Sequence, residues 1–291
     1  MNISEIGEFG LIDLIRKQVP VNHRVVRGIG DDCAVLAYTK DKHLLFKTDM
    51  LIEDVHFTGR MLAPSIGHKA LACNISDIAA MGGWPTFAVV SLGLPKNTTV
   101  EFVQGIYKGM GALARQFAVS IVGGDTNKSD KLVISIALLG EVEKKYLVTR
   151  AGAKPKDWIF VSGPLGNSFR SGWHLDFVPR VEEARFLVQK FKPSAMMDIS
   201  DGLAGDLNHI LKASKTGARL WQESIPLRQG ATFKQAFIEG EDFELLFTLP
   251  PAKARQLMDW QAKRKALYFY PIGEITANPK DKVYAKGFTH F

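Results

Sequence analysis

The chain predicts an α/β protein of two domains, an N-terminal mixed sheet covered by helices and a second α/β domain behind it. Three observations carry that expectation. Strand-like and helical apolar spacings alternate along 291 residues, a length that accommodates two domains of ordinary size or one large one. A charged, turn-rich stretch over 143–155 interrupts the pattern and separates 1–142 from 143–291. Acids also stand inside apolar runs in both parts, at Asp31, Asp32, Asp49, Asp77, Asp125, Asp198 and Asp201, as though both contributed to one site.

In chain order, the apolar residues of 8–17 predict a short amphipathic helix able to dock on a neighbour. Residues 28–38 and 43–50 read as strands, with acids at the head of the first and the tail of the second. A helix begins at Pro64 or Ser65, where proline suits a first turn, and stops at Gly82-Gly83. Asn74 and Asp77, three apart, share a face of it beside a buried stripe of Leu71, Ile75 and Ile78. A strand follows over 84–94. Thr98 and Glu101 form a capping-box pattern ahead of a helix carrying Val103, Ile106, Met110, Leu113 and Phe117. Residues 119–122 predict a strand that enters a Gly123-Gly124-Asp125-Thr126 turn, and 132–141 the next strand. That turn is either a glycine turn and nothing more or a place where backbone N–H groups approach an anion.

Past the boundary, 157–163 predicts a strand, and the pattern is weak from there to Pro193. A strand over 195–199 leads to Ser200-Asp201-Gly202 and a helix that closes near Gly217, with Asp201 placed either to cap that helix or to face a ligand. Residues 243–249 and 267–275 read as strands around a basic helix over 251–265.

Composition narrows the functional classes. Apolar residues at 46% and charged residues at 23% are those of a globular chain, not a disordered one. The net charge of +7 raises the question of nucleic acid, but five of the seven charges fall within 251–291, spread over one helix face and a tail with no recognition motif beside them. No nucleic-acid partner is expected. The uncharged stretch from Ile78 to Pro95 is broken by Gly82, Gly83, Pro85, Gly93 and Pro95, so no membrane span is expected either. Cys33 and Cys73 lack any metal or redox spacing, and the N-terminus has no signal-peptide pattern. A cytoplasmic protein with two core thiols is the expectation.

The acids carry the chemistry. Taken alone, Asp31-Asp32 after Gly28-Ile29-Gly30 reads as a turn, but carboxylates set repeatedly among apolar neighbours are costly unless cations meet them. If they converge, hard oxygen ligands without Cys or His select magnesium-like ions.

Laid out in order, the segments 28–35 (Gly-Ile-Gly-Asp-Asp-Cys-Ala-Val), Thr48-Asp49 with His56-Phe57, and 69–82 (Lys-Ala-Leu-Ala-Cys-Asn-Ile-Ser-Asp-Ile-Ala-Ala-Met-Gly) begin a longer pattern. It continues in 123–126 (Gly-Gly-Asp-Thr), 149–159, 198–203 (Asp-Ile-Ser-Asp-Gly-Leu), 240–245 (Gly-Glu-Asp-Phe-Glu-Leu) and 286–291. Together these resemble the thiamine-monophosphate kinases of the aminoimidazole ribonucleotide synthetase-like superfamily. The resemblance implies ATP-dependent phosphorylation of thiamine monophosphate to thiamine diphosphate by direct in-line transfer assisted by several Mg2+ ions. It also implies a homodimer in which N-terminal strands of two subunits close a β-barrel, and a C-terminal α/β sandwich. By the same matching, Asp32, Thr48, Asp49, Asp77, Asp125, Asp198 and Asp201 are the metal ligands, with Asp31 a turn or supporting partner. Tyr107, Gly124, Asp125, Arg150 and Ser200 face ATP, and His56, Glu241 and Phe288 face the substrate. Asp77, Asp125 and Arg150 are the groups expected at the reacting phosphates.

The alternatives at these positions are an ordinary loop histidine for His56 and a docking hydrophobe for Phe288. The chain departs from the pattern at Lys47, where Ser or Thr is usual, at Glu239, where Gly is usual, at Phe288, where Tyr is common, and in a short 180–198 region. Two alternatives stand beside this reading: another ATP-using enzyme of the superfamily, and a basic nucleic-acid-binding protein without activity.

Overall fold

The computed structural model describes residues 2–264 and 267–283. It is a mixed α/β structure with two sheets. The first contains β1 (Val25–Arg27), β2 (Ala34–Ala37), β3 (Lys42–Ile52), β4 (Trp84–Leu94), β5 (Ser120–Lys128) and β6 (Val133–Glu143), in the order β1-β2-β3-β6-β4-β5. Its β4 and β5 run parallel and its other pairs antiparallel. The second contains β7 (Trp158–Val161), β8 (Ala195–Asp198), β9 (Gly217–Leu220), β10 (Leu245–Leu249) and β11 (Tyr270–Thr276), antiparallel in the order β8-β10-β7-β11-β9.

Around these lie α1 (Ile3–Gln18), α2 (Ala63–Ala80), α3 (Val100–Gln116), α4 (Ser168–Ser171), α5 (Trp173–Asp176), α6 (Val181–Lys190), α7 (Leu203–Ser214), α8 (Phe233–Ile238) and α9 (Pro251–Arg264). No helix among the described residues is long and apolar enough to cross a membrane.

Period-two alternation along the strands decides which side chains meet α2. In β3, Leu45 and Leu51 point inward while Phe46, Thr48 and Met50 point out, which turns Lys47 and Asp49 inward. In β4, Ala88, Val90 and Leu92 are buried and Phe87 and Val89 exposed. The inner face packs on α2, which is buried almost all round from Ile66 to Ala80 because β3, β6, α3, α6 and β8 surround it. A helix in that position holds polar residues only where they are partnered. Lys69, Asn74, Ser76 and Asp77 are therefore the residues of α2 to explain.

The structure revises several boundaries. Within the predicted strand over 28–38 only β2 is a strand, and 28–33 form the loop after β1 that carries Asp31 and Asp32. The α3 cap is Thr99, whose hydroxyl accepts from the Phe102 N–H at 3.2 Å, and not Thr98. Residues 123–126 make no turn: β5 runs through them to Lys128, paired with β4. Gly124 is needed for that pairing, since a Cβ there would lie 1.8 Å from the Val90 carbonyl oxygen. The weakly patterned 164–193 region contains α4, α5 and α6, where a buried Arg185 sits among Val181, Ala184, Leu187 and Val188 and breaks the apolar stripe. Arg185 donates through its terminal nitrogens to the Gly82 carbonyl at 2.6 Å and to both oxygens of Glu143, while its Nε is buried without a partner. Asp201 does not cap α7, whose first flanking residue is Gly202 with no side-chain cap.

Helices α2 and α3 approach closely through glycine. A Cβ on Gly67 would lie 1.9 Å from the Ile106 carbonyl oxygen, and one on Gly109 1.8 Å from that of Pro64. Gly67→Ala therefore forces the helices apart and is expected to cost about 1–3 kcal/mol, the usual range for overpacking. A urea midpoint equal to the wild type's would show that the pair is not so tightly docked.

Candidate active site

A cleft of about 640 Å³ opens between the inner edge of the first sheet, the end of β8, the start of α7 and the segment before β10. Five carboxylates crowd its floor: Asp31 and Asp32 from the β1–β2 loop, Asp49 from β3, Asp77 from α2 and Asp198 from the last position of β8. Ligand oxygens of Asp32, Asp77 and Asp198 lie within 4.8 Å of one another, and all three residues are buried.

Two cations hold this floor together. Arg150 donates from Nε and Nη2 to Asp32 Oδ1 at 3.1 and 2.6 Å, and its backbone N–H donates to Asp31 Oδ1 at 3.0 Å. Lys47 Nζ stands 3.1 Å from Asp49 Oδ1 and 3.1 Å from Asp77 Oδ2. Burial works against the Lys47 ammonium, but Asp49 and Asp77 outweigh it and keep its pKa well above the ordinary lysine value. Ser76, one turn-position from Asp77, donates its hydroxyl to Asp198 Oδ2 at 2.5 Å. Asp32 Oδ2 remains buried without a hydrogen-bond partner.

The opposite wall is built around Lys69. Fully buried on α2, it donates to the His56 carbonyl at 2.5 Å and to Glu241 Oε2 at 2.6 Å, and it lies 5.6 Å from the centre of the Phe169 ring. The His56 ring is oriented by its Nδ1, which accepts from the Ile52 N–H at 3.0 Å. Glu241 and Phe243 take left-handed backbone angles (φ 64° and 51°) and are pinned through their N–H groups to the carbonyls of Ser200 and Ile199. Such strain persists only where the surroundings over-determine it, and it is characteristic of binding sites. A third group, Asp201, Asp206 and His209, has ligand atoms within 4.8 Å of one another at the start of α7, and Asp206 Oδ2 accepts from the Asp201 N–H.

Of the residues singled out in the sequence, Asp49, His56, Asp77, Arg150, Asp198, Ser200, Asp201 and Glu241 line the cleft, and Asp32 meets them through Arg150. Thr48, Tyr107, Gly124 and Asp125 do not line it. Thr48 points to the outer face of the first sheet, and Asp125 pairs with Ser91 on the same face, its oxygens accepting from the Thr126 N–H and the Asn127 amide. Tyr107 lies on α3, 38% exposed. Phe288 is outside the described residues. The sequence reading did not single out Lys69, Asp206 or His209. Only Asp206 carried a signal, an acid on the buried side of α7.

Residues 30–142 match the family model for the AIR synthase related protein N-terminal domain, and 139–286 that for the C-terminal domain. The chain is 35% identical over 319 residues to the thiamine-monophosphate kinase of Aquifex aeolicus (strain VF5), covering 100% of each. It is 34% identical over 326 residues to that of Bacillus subtilis (strain 168), covering 98% of this chain and 100% of the relative. Among solved structures, AaThiL complexed with AMPPCP and TMP superposes with a TM-score of 0.87 at 34% identity, over 100% of this chain and 99% of that one.

Without metal, the floor keeps protons. Burial, then the Asp32 charge, pushes the carboxyl of Asp31 up to about 6 and that of Asp198 up to about 7, and burial raises Asp77 well above its ordinary value. The unfolded chain loses these protons near the ordinary value of 3.8, so the folded state holds the excess between roughly pH 4 and pH 7. Stability of the metal-free protein should fall as pH rises through that window. A divalent ion, which binds only the ionised acids, should oppose the fall. In thermal melts, we expect the metal-free Tm to drop from pH 5 to pH 8 and excess Mg2+ to recover at least about 3 °C at pH 8. No response to Mg2+ at pH 8 would contradict this account of the floor.

Proposed function

The chain belongs to the thiamine-monophosphate kinase family, and from that premise we propose a division of labour for the ATP-dependent phosphorylation of thiamine monophosphate to thiamine diphosphate. The bond between the γ-phosphorus and the ADP leaving oxygen breaks as one forms to a phosphate oxygen of thiamine monophosphate. That acceptor is already an anionic oxygen, so no general base is required. The residues must bring two polyanions together in line and offset their charge.

The observation that carries this reading is the convergence of Asp32, Asp77 and Asp198, with the buried Asp32 Oδ2 left unpartnered. An all-oxygen donor set with an orphaned carboxylate oxygen suits Mg2+. Asp32, Asp77 and Asp198 would hold it, with Asp201 beside them on the α7 side. Held by these acids, magnesium would supply positive charge to offset that of the phosphates during transfer.

Arg150, fixed by Asp32, presents a planar guanidinium suited to phosphate, and Ser200 offers a hydroxyl in the same cleft. Lys69 holds His56 and Glu241 in place on the thiamine side, where a carboxylate can accept from an aminopyrimidine. Phe288 would add an aromatic face to the cationic thiazolium.

Tyr107, Gly124 and Asp125 belong, in this reading, to nucleotide contacts, and Thr48 and Asp125 to metal contacts, that a second subunit completes. The outer face that bears Thr48 and Asp125 also exposes Phe46, Met50, Phe87, Val89 and Val122. Covering that face in a homodimer, with the N-terminal strands of two subunits closing a barrel, removes the patch from water. The 1–142 part is then the nucleotide and metal domain, and 143–291 completes the cleft.

The test is a direct assay for thiamine diphosphate. Asp77→Asn and Asp125→Asn should each fold and lose at least about a hundredfold in turnover, and the wild type should consume ATP only with thiamine monophosphate and Mg2+. Full activity in either variant removes that acid from the mechanism. Salt-sensitive binding of nucleic acid without ATP consumption would support the other class of function.

A further inference from the structure

Lys47 sets this cleft apart from one made of acids and water. Alternation along β3 places its side chain on the inner face, two residues from Asp49 and opposite Asp77 of α2. One ammonium lies 3.1 Å from an oxygen of each. The Lys47 side chain is only 21% exposed, and those of Asp49 and Asp77 are 28% and 12% exposed.

The space between those two oxygens is where a divalent ion bridging Asp49 and Asp77 would have to sit. Mg2+ requires oxygens at 2.0–2.1 Å in octahedral array, and an ammonium within hydrogen-bond reach of both oxygens fills that point. The lysine is covalently attached and does not exchange with solution. Arg150 does nothing comparable for the other acids: it engages Asp32 through Oδ1 and leaves Oδ2 unpartnered. The acid floor is therefore divided. On one side a single fixed monovalent cation is shared between Asp49 and one oxygen of Asp77. On the other, Asp32, Asp77 and Asp198 converge with a buried oxygen still unmet.

We propose that Lys47 is a tethered cation standing in for one divalent ion between Asp49 and Asp77, so that metal is confined to the Asp32–Asp77–Asp198 side and Asp49 is a lysine partner, not a metal ligand. This rests on the reading that the latter three acids hold divalent ions.

The experiment counts Mn2+ bound per chain by electron paramagnetic resonance of the free ion, with the full chain and no nucleotide, for wild type, Lys47→Ser and Asp49→Asn. Lys47→Ser should bind one more Mn2+ than wild type, and Asp49→Asn the same number as wild type. A Lys47→Ser chain with no additional ion overturns the proposal, and so does an Asp49→Asn chain that loses one. Lys47→Ser leaves two facing carboxylates without their cation, so its melting is followed with and without Mn2+. A larger Mn2+-dependent rise in Tm than the wild type shows supports the proposal, and an equal rise counts against it. If Lys47→Ser does not fold in either condition, the Asp49→Asn count decides alone. The wild-type titration is a separate readout: no Mn2+ bound there defeats the metal reading itself, whatever the variants do.

Discussion

Repulsion among buried carboxylates is the constraint from which the rest of this structure follows. Asp31, Asp32, Asp49, Asp77 and Asp198 come from four separate stretches of chain and meet on one floor. Asp32, Asp77 and Asp198 are buried there, and isolated ionised acids would be expensive. Arg150, Lys47 and the Ser76 hydroxyl relieve part of the cost. The remainder is stored as raised proton affinity and an unpartnered oxygen. A site built that way is ready for divalent cations and phosphate, and phosphoryl transfer between two phosphates asks for little besides positioning and charge.

The fold exists to hold that floor in register. Helix α2 runs buried between the first sheet and the second, so one rigid element carries Lys69, Ser76 and Asp77 to opposite ends of the same cleft. Lys69 holds the His56 carbonyl and Glu241 on one wall, Ser76 reaches the end of β8, and Asp77 faces Lys47 of β3. Glycines 67 and 109 let α3 press against α2 closely enough to fix its position. Lys69, Ser76 and Asp77 of this enclosed helix are partnered by Glu241, Asp198 and Lys47 from other stretches of chain, whereas the Asn74 amide donates only to the Ala70 carbonyl within the helix. That is how distant motifs become one site.

Much of this was legible in the sequence, for identifiable reasons. Acids inside apolar runs cannot be explained by solvation, so Asp32, Asp49, Asp77, Asp198 and Asp201 stood out, and the cleft gathers them. Strand alternation and helical spacing placed most elements. The reading failed where side chains act against type. Arg185 is buried in α6 and hid that helix. Gly123 and Gly124 looked like a turn, yet close strand pairing requires Gly124. Lys69 did not stand out, because nothing local reveals that Glu241, 172 residues away, closes over it. Thr48 and Asp125 fall on the outer face, a placement set by register with β6 and β4 that no single segment encodes.

The central claim is a place as much as a composition: divalent metal belongs among Asp32, Asp77 and Asp198. Anomalous scattering from Mn2+-loaded crystals tests it most directly. The account predicts a peak within coordination distance of oxygens from all three side chains, about 2.1–2.3 Å. A metal-saturated crystal with its anomalous peaks elsewhere, and none touching Asp32, would contradict it.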